Sequence, residues 1–426
     1  MADLRLEPAR DALTGLPGRE AARARLGEWL EAGLPVHALL LGLRRFDAVN
    51  LAFGAAAGDA ALTEVAARIK HLAADELDGP WLVARVGGGQ FLLAANEACS
   101  RERWQLLAGE LAELVARPIL AGGETLRLSA RLALLRTVAG ETAPGVLDRL
   151  AQTLETVLAQ PARRLLWADG EAARGPRSAA RLEADLLRAI DRDEIEILYQ
   201  PQFACADGRL TGAEALARWN HPKLGRIGAA TLFTAAERTD HVAQLSRHIA
   251  QRALAGAASW PGDLRLSLNV TPSDLAAADF AAGFAALVGA SRFPAWRLTL
   301  EVTEQVLLAE VHNAAQALGE LAAGGMRIAL DDFGAGFCNF RYLKLLPLHY
   351  LKLDRSMIDG AGDARDVAVL RAIVAMAGAL DLQVIAEGVE TEAQRALVAA
   401  EGCAVWQGFL GAQPLAAADF LDLARG

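Results

Sequence analysis

The second half of the chain carries a run of potential oxygen and nitrogen ligands: Gln200, Glu214, Asn269, Glu301, Asp331, Asp332, Lys352, Glu387 and Gln407. They stand mainly near the C-terminal ends of eight short apolar segments: EIEILYQP, RLTGAEALARW, LRLSLNV, RLTLEVTE, RIALDDF, HYLKLD, LQVIAEGVE and CAVWQGF. Carboxylates gathered at one place repel one another and lose hydration unless cations share the site. A ligand set of oxygens without Cys or His favours the hard ions Mg²⁺ or Mn²⁺ over zinc. Because Asp331 and Asp332 are adjacent, one carboxylate can bridge two ions while its neighbour holds one. Two ions about 3.5–4 Å apart activate a water and stabilise the leaving oxygen in phosphodiester hydrolysis. Taken singly the residues stay ambiguous. A strand-end Glu also serves as a salt bridge or helix cap, and Lys352 as an ion pair within a barrel.

Those segments must be held by something. From residue 195 onward short apolar stretches alternate with helix-like ones, which implies a mostly parallel sheet. Eight strands over this length match a closed (β/α)₈ barrel, and a barrel collects its strand ends on the face where barrel enzymes keep their chemistry. The first half reads differently. Stretches 36–43, 81–86, 91–95 and 126–135 are strand-like, while 56–72 and 103–115 carry apolar residues at helical spacing. That order predicts an α+β layer, one sheet with helices against it. The polar stretch DGEAARGPRSAAR marks the boundary, and Leu182, Leu186, Leu187 and Ile190 then outline an amphipathic helix. The helix is a simple connector or a relay between domains. The expected division is 1–168, a linker and entry helix 169–190, and 191–426.

Composition narrows the partners. The 426 residues are 53% hydrophobic, and 43 basic against 52 acidic side chains give a net charge of −9. An acidic chain of this kind does not hold DNA by bulk electrostatics, although a local pocket for a small phosphate ligand is compatible with it. The four cysteines are scattered with no CxxC pair, which argues against zinc and against a disulfide framework. The start, MADLRLEPAR, lacks the apolar core of a signal peptide. No apolar run reaches the ~20 residues of a membrane span. The expectation is a reduced, cytoplasmic protein without a membrane segment, and a sensor segment from a longer parent stays open.

The motifs of the second half resemble those of EAL-domain cyclic di-GMP phosphodiesterases. The likeness begins at Glu214-Ala215-Leu216-Ala217-Arg218 and runs through LNVTPSDL, EVTE, DDFGAGF, LKLD, AEGVET and QGFLGAQP. It implies two Mg²⁺ or Mn²⁺ ions, with Glu214, Asn269, Glu301 and Asp331 around one. Asp331, Asp332 and Glu387 would hold the other, and Lys352 would orient the attacking water. Gln200, Leu216, Arg218 and Gln407 would contact cyclic di-GMP. Glu304 and Glu390 would anchor the FGAGFCNF loop, which in that family links metal binding to dimerisation, so a homodimer through this domain is expected. Ala335, Phe337, Cys338 and Asn339 depart from the family's usual loop residues. Two functions remain open on this reading: a phosphodiesterase yielding 5′-pGpG, or a silent cyclic di-GMP receptor. A ligand set filled at every position favours the enzyme.

DALTGLP and RVGGGQF in the first half are similar to the opening and the signature of GGDEF diguanylate cyclase domains, which have a nucleotide-cyclase-like α+β fold. Where that family binds the cations that carry GTP, this chain has Gly42, Gly89 and Gln90. Gly has no ligand atom and a neutral amide is a poor one for Mg²⁺. The product-inhibition motif is also missing, with Asp78 and Trp81 at its positions. Asn50 and Asp59 match guanine-contacting positions, so GTP is a conceivable ligand, but two ordinary surface residues explain them as well. The domain is expected to be regulatory.

Overall fold

The computed structural model describes residues 10–425, apart from 34, 45, 98, 122–123, 139, 161–162, 169–176, 304–310, 335–339 and 360–363. The chain forms two compact units, one of residues 1–189 with 219–235, the other of 190–218 with 236–426.

Seven strands lie in the first unit's opening stretch: β1 (His37–Leu43), β2 (Trp81–Gly87), β3 (Gln90–Ala95), β4 (Ile119–Ala121), β5 (Glu124–Leu126), β6 (Ala130–Arg136) and β7 (Leu165–Trp167). Five form one sheet in the order β2-β3-β1-β6-β7, while β4 and β5 pair as a separate hairpin. The central strand HALLLGL is buried at all seven positions, as a strand covered on both faces must be. Its alternate residues feed two cores. Leu39 and Leu41 join Trp104, Leu107 and Val65 on one face, and Ala38 and Leu40 join Trp29, Val146 and Leu150 on the other. The expected single strand 126–135 is therefore two pieces, broken at 127–129. The three-residue edge strand β7 is too short for any periodicity to announce it.

This unit also takes in β10 (Gly225–Ile227) and the helix Ala229–Arg238 up to Ala235. The buried Glu76 carboxylate accepts N–H groups of Gly228 (2.9 Å) and Thr231 (3.0 Å) and the Thr231 hydroxyl (2.9 Å). Arg103, itself buried, pairs with it. Burial opposes ionisation of Glu76, but Arg103 and the donated hydrogens outweigh it and hold its carboxyl below the ordinary value.

The barrel is built from β8 (Ile195–Ala204), β9 (Leu210–His221), β11 (Arg265–Asn269), β12 (Leu298–Thr303), β13 (Arg327–Phe333), β14 (Tyr350–Leu353), β15 (Gln383–Ala386) and β16 (Val405–Gln407). The run from β9 through β11 to β16 is parallel, and β8 closes the ring by pairing with both β16 and β9. All eight expected segments are strands. One departs from the regular alternation: β8 is antiparallel to β16. Only five residues separate β8 from β9, far fewer than a parallel crossover needs. The reversed strand consequently places Gln202, with Gln200 two residues before it, rather than its last residue, level with Gln407 at the mouth where the other strands end. Among the described residues no helix is long and apolar enough to cross a membrane.

Candidate metal and nucleotide site

Positions 214, 216 and 218 share one face of β9, because side chains alternate along a strand. Glu214 and Arg218 are buried there and Leu216 is half-buried. The register sets Asn269 beside Glu301 on the next pair of strands, and the Asn269 amide donates to Glu214 Oε1 at 2.8 Å. Lys352 is 1% exposed, and its ammonium lies 2.7 Å from Glu387, 3.0 Å from Asp331 and 3.4 Å from Glu214, and pairs with Glu301. One cation is thus shared among four carboxylates, on or just past β9, β12, β13 and β15.

A regular strand would send Asp331 and Asp332 to opposite faces. Here β13 slips register against β14 between Leu330 and Phe333, and Asp332 adopts the left-handed conformation with φ 57°. Its N–H turns back onto Asp331 Oδ1 at 3.0 Å. Bulges of this kind re-aim side chains, and Asp is among the few residue types that tolerate left-handed backbone. The outcome is that Asp331, Asp332 and Glu387 offer carboxylate oxygens all within 4.8 Å of one another. Gly334 follows at φ 102°, and a Cβ there would stand 2.7 Å from the Met357 side chain.

The electrostatics of the cluster are strained. Burial first, then the neighbouring Glu214 charge, pushes the Glu301 carboxyl up to about 8. Glu387 is driven well above its ordinary value by burial despite Lys352. For Glu214 burial is outweighed by Lys352 and by the Gln407 and Asn269 amides, which hold it low. Glu301 Oε1 is buried with no hydrogen-bond partner. Five carboxylates against one ammonium, with one buried oxygen unsatisfied, form a donor set that suits divalent cations.

Around the carboxylates stand three glutamines. Gln200 donates to the Ala412 carbonyl at 2.8 Å. Gln407 donates to both Glu214 (2.9 Å) and Glu387 (2.8 Å). Gln202 was not among the sequence candidates, and it donates to Gln407 at 2.9 Å. Its signal was present in period two, since Gln202 must share the face of Gln200. The Arg218 guanidinium donates to the Ala217 carbonyl and makes further interactions. Glu390 forms a two-pronged pair with Arg355, just past β14, with one arm at 2.8 Å. Glu304 and loop residues 335–339 lie outside the described residues.

In the first unit the space beside Gly42 and Gly89 is closely occupied. A Cβ at Gly42 would meet Leu154 Cδ2 at 3.0 Å, and one at Gly89 would meet Leu43 Cβ at 3.2 Å. Gln90 is exposed at the start of β3. Asn50 and Asp59 are exposed, with Asn50 packed over Gly58. The two motifs are joined by Arg85, which donates to both Asp11 oxygens at 3.0 and 3.1 Å.

Comparison with known proteins agrees with both halves. Residues 183–414 match the family model of the EAL domain, and 9–164 that of the diguanylate cyclase GGDEF domain. The bifunctional diguanylate cyclase/cyclic di-GMP phosphodiesterase MucR of Pseudomonas aeruginosa is 31% identical over 96% of this chain and 61% of its own length. The cyclic di-GMP phosphodiesterase NbdA of the same organism is 31% identical over 100% of this chain and 55% of its own length. A solved structure of the MucR phosphodiesterase with cyclic di-GMP superposes with a TM-score of 0.54 at 34% identity, covering 57% of this chain and 100% of that one. The chain spans 50–67% of the first curated relatives it matches. With both family models matched in order along one chain, the protein belongs to the EAL-domain family and carries GGDEF and EAL domains in tandem.

Proposed function

We propose that the chain hydrolyses cyclic di-GMP to 5′-pGpG with two Mg²⁺ or Mn²⁺ ions. Residues 191–426 would form the phosphodiesterase domain, 1–168 a regulatory domain without cyclase activity, and 169–190 the joint. Glu214, Asn269, Glu301 and Asp331 would hold one ion, and Asp331, Asp332 and Glu387 the second. The observation that carries this reading is the bulge that aims Asp331 and Asp332 at Glu387. Bound ions would lower the pKa of a water and offset charge on the leaving oxygen. The chain's own residues supply the rest. Arg218 suits a phosphate oxygen, its guanidinium being a fixed fork. Gln200, Leu216 and Gln407 line the nucleotide side, and Lys352 orients the attacking water. A homodimer through the EAL domain and a cytoplasmic setting complete the proposal. Free thiols at Cys99, Cys205 and Cys403 are in keeping with the latter.

The test is purified protein with cyclic di-GMP and Mg²⁺ or Mn²⁺, followed for pGpG. Asp331→Asn should abolish turnover at saturating Mg²⁺, and activity within about tenfold of wild type would rule out a bridging carboxylate. Binding of cyclic di-GMP without turnover by the wild-type chain would identify a receptor instead.

A further inference from the structure

We infer that Gln202 is a positioning residue for the metal-ligand carboxylates, acting through the amide of Gln407. The inference rests on the two-metal reading above. Gln202 on β8 and Gln407 on β16 are directly opposed partners in the antiparallel ladder, so their side chains emerge on one face. Both are buried. Gln202 Nε2 donates to Gln407 Oε1 at 2.9 Å. That contact decides which end of the Gln407 amide faces the cluster. Its NH₂ group then has both hydrogens committed, one to Glu214 Oε2 at 2.9 Å and one to Glu387 Oε1 at 2.8 Å.

Turned over, the Gln407 amide would set its carbonyl oxygen against two carboxylates and its NH₂ against the NH₂ of Gln202. Every one of the three contacts would become repulsive. The donor at position 202 therefore selects the orientation in which Gln407 ties a carboxylate on β9 to one just past β15. The Thr211 hydroxyl donates to the Gln202 backbone carbonyl at 3.0 Å and fixes the strand from which the side chain emerges. An amide locked in this way pre-orders Glu214 and Glu387 before cations bind. Partners that orient metal ligands typically change metal affinity by 10–100-fold when removed.

Mn²⁺ titration of the full chain, read by the paramagnetic resonance signal of free Mn²⁺, tests this without reference to turnover. Gln202→Met and Gln202→Leu keep an apolar stem of similar volume and delete the donor. Each should raise the Mn²⁺ dissociation constant about tenfold with a native-like melting midpoint, and turnover at saturating Mn²⁺ should change little. In a Gln407→Ala background the same substitutions should have no further effect. Unchanged Mn²⁺ affinity in Gln202→Met, or an equal loss in the Gln407→Ala background, overturns the positioning role. Failure of the wild-type chain to bind Mn²⁺ overturns the two-metal reading and this inference with it, and the two results are distinct.

Discussion

Asp332 combines a backbone role with the ligand role proposed for it, and substitutions separate them. Asn tolerates left-handed backbone about as well as Asp, whereas Ala there costs about 1 kcal/mol more. Asp332→Asn should retain the wild-type melting midpoint and lose Mn²⁺ affinity, while Asp332→Ala should lose both. A midpoint for Asp332→Ala equal to that of Asp332→Asn would show that φ 57° is not costly here. Lys352 offers a second separation. Lys352→Ala should lower turnover by ~10²–10⁴-fold with little change in cyclic di-GMP affinity. Deleting the one cation among four acidic partners should also destabilise the metal-free chain by about 3–5 kcal/mol, and Mg²⁺ should restore much of it. Collapse of nucleotide affinity with turnover preserved at saturation would make Lys352 a phosphate anchor.

At the scale of one element, β1 shows what a fully buried strand tolerates. His37 is 0% exposed at its start, its ring tilted against that of Trp104 with centroids 5.6 Å apart. Burial, with Arg136 nearby, lowers its pKa to about 4. The unfolded chain therefore binds a proton near pH 6.5 that the folded chain refuses until about pH 4. The folded-state pKa is depressed, so stability is lost as pH falls through this window. The loss due to His37 is about 2 kcal/mol at pH 5. His37→Phe should remove that share, measured as a smaller drop in urea-unfolding free energy between pH 7.5 and pH 5 than in wild type. An identical drop in both would show that His37 is protonated in the folded state. At the other end of β1, Leu154 occupies the space a side chain at Gly42 would need. Gly42→Asp should destabilise the unit, read as a lower melting midpoint, rather than create a cation site.

Across the whole molecule, the prediction is that residues 1–168 make no cyclic di-GMP from GTP at any Mg²⁺ concentration, and product in that assay would refute it. Residues 178–426 should remain a phosphodiesterase with altered activity or dimerisation. There is a structural reason to expect a change. Residues 219–235 pack within the first unit, where Glu76 accepts hydrogens from Gly228 and Thr231. Truncation strips that carboxylate away, and Glu76→Ala in the full chain should cost about 3–5 kcal/mol by leaving Arg103 buried and unpaired. Identical kinetics, stability and oligomeric state in the long and short chains would remove the case for a regulatory first half.

Period and chemistry made much of this protein legible without coordinates. The eight barrel segments announced themselves because each is a short apolar run, and the gathering of carboxylates because acidic groups rarely end so many strands. The apolar strand HALLLGL and the glycines Gly42 and Gly89 were equally plain, since both are statements about residue type. What the tertiary structure alone decided depends on contacts distant in the chain. The closure of β8 against β16 followed from a pairing some 200 residues apart in sequence. The orientation of Asp332 followed from a register slip against β14 that no local pattern encodes. The part played by Gln202 followed from its position opposite Gln407. Local sequence carries side-chain identity and alternation, whereas the direction in which a buried amide or carboxylate points is set by whichever partner the folded chain brings against it.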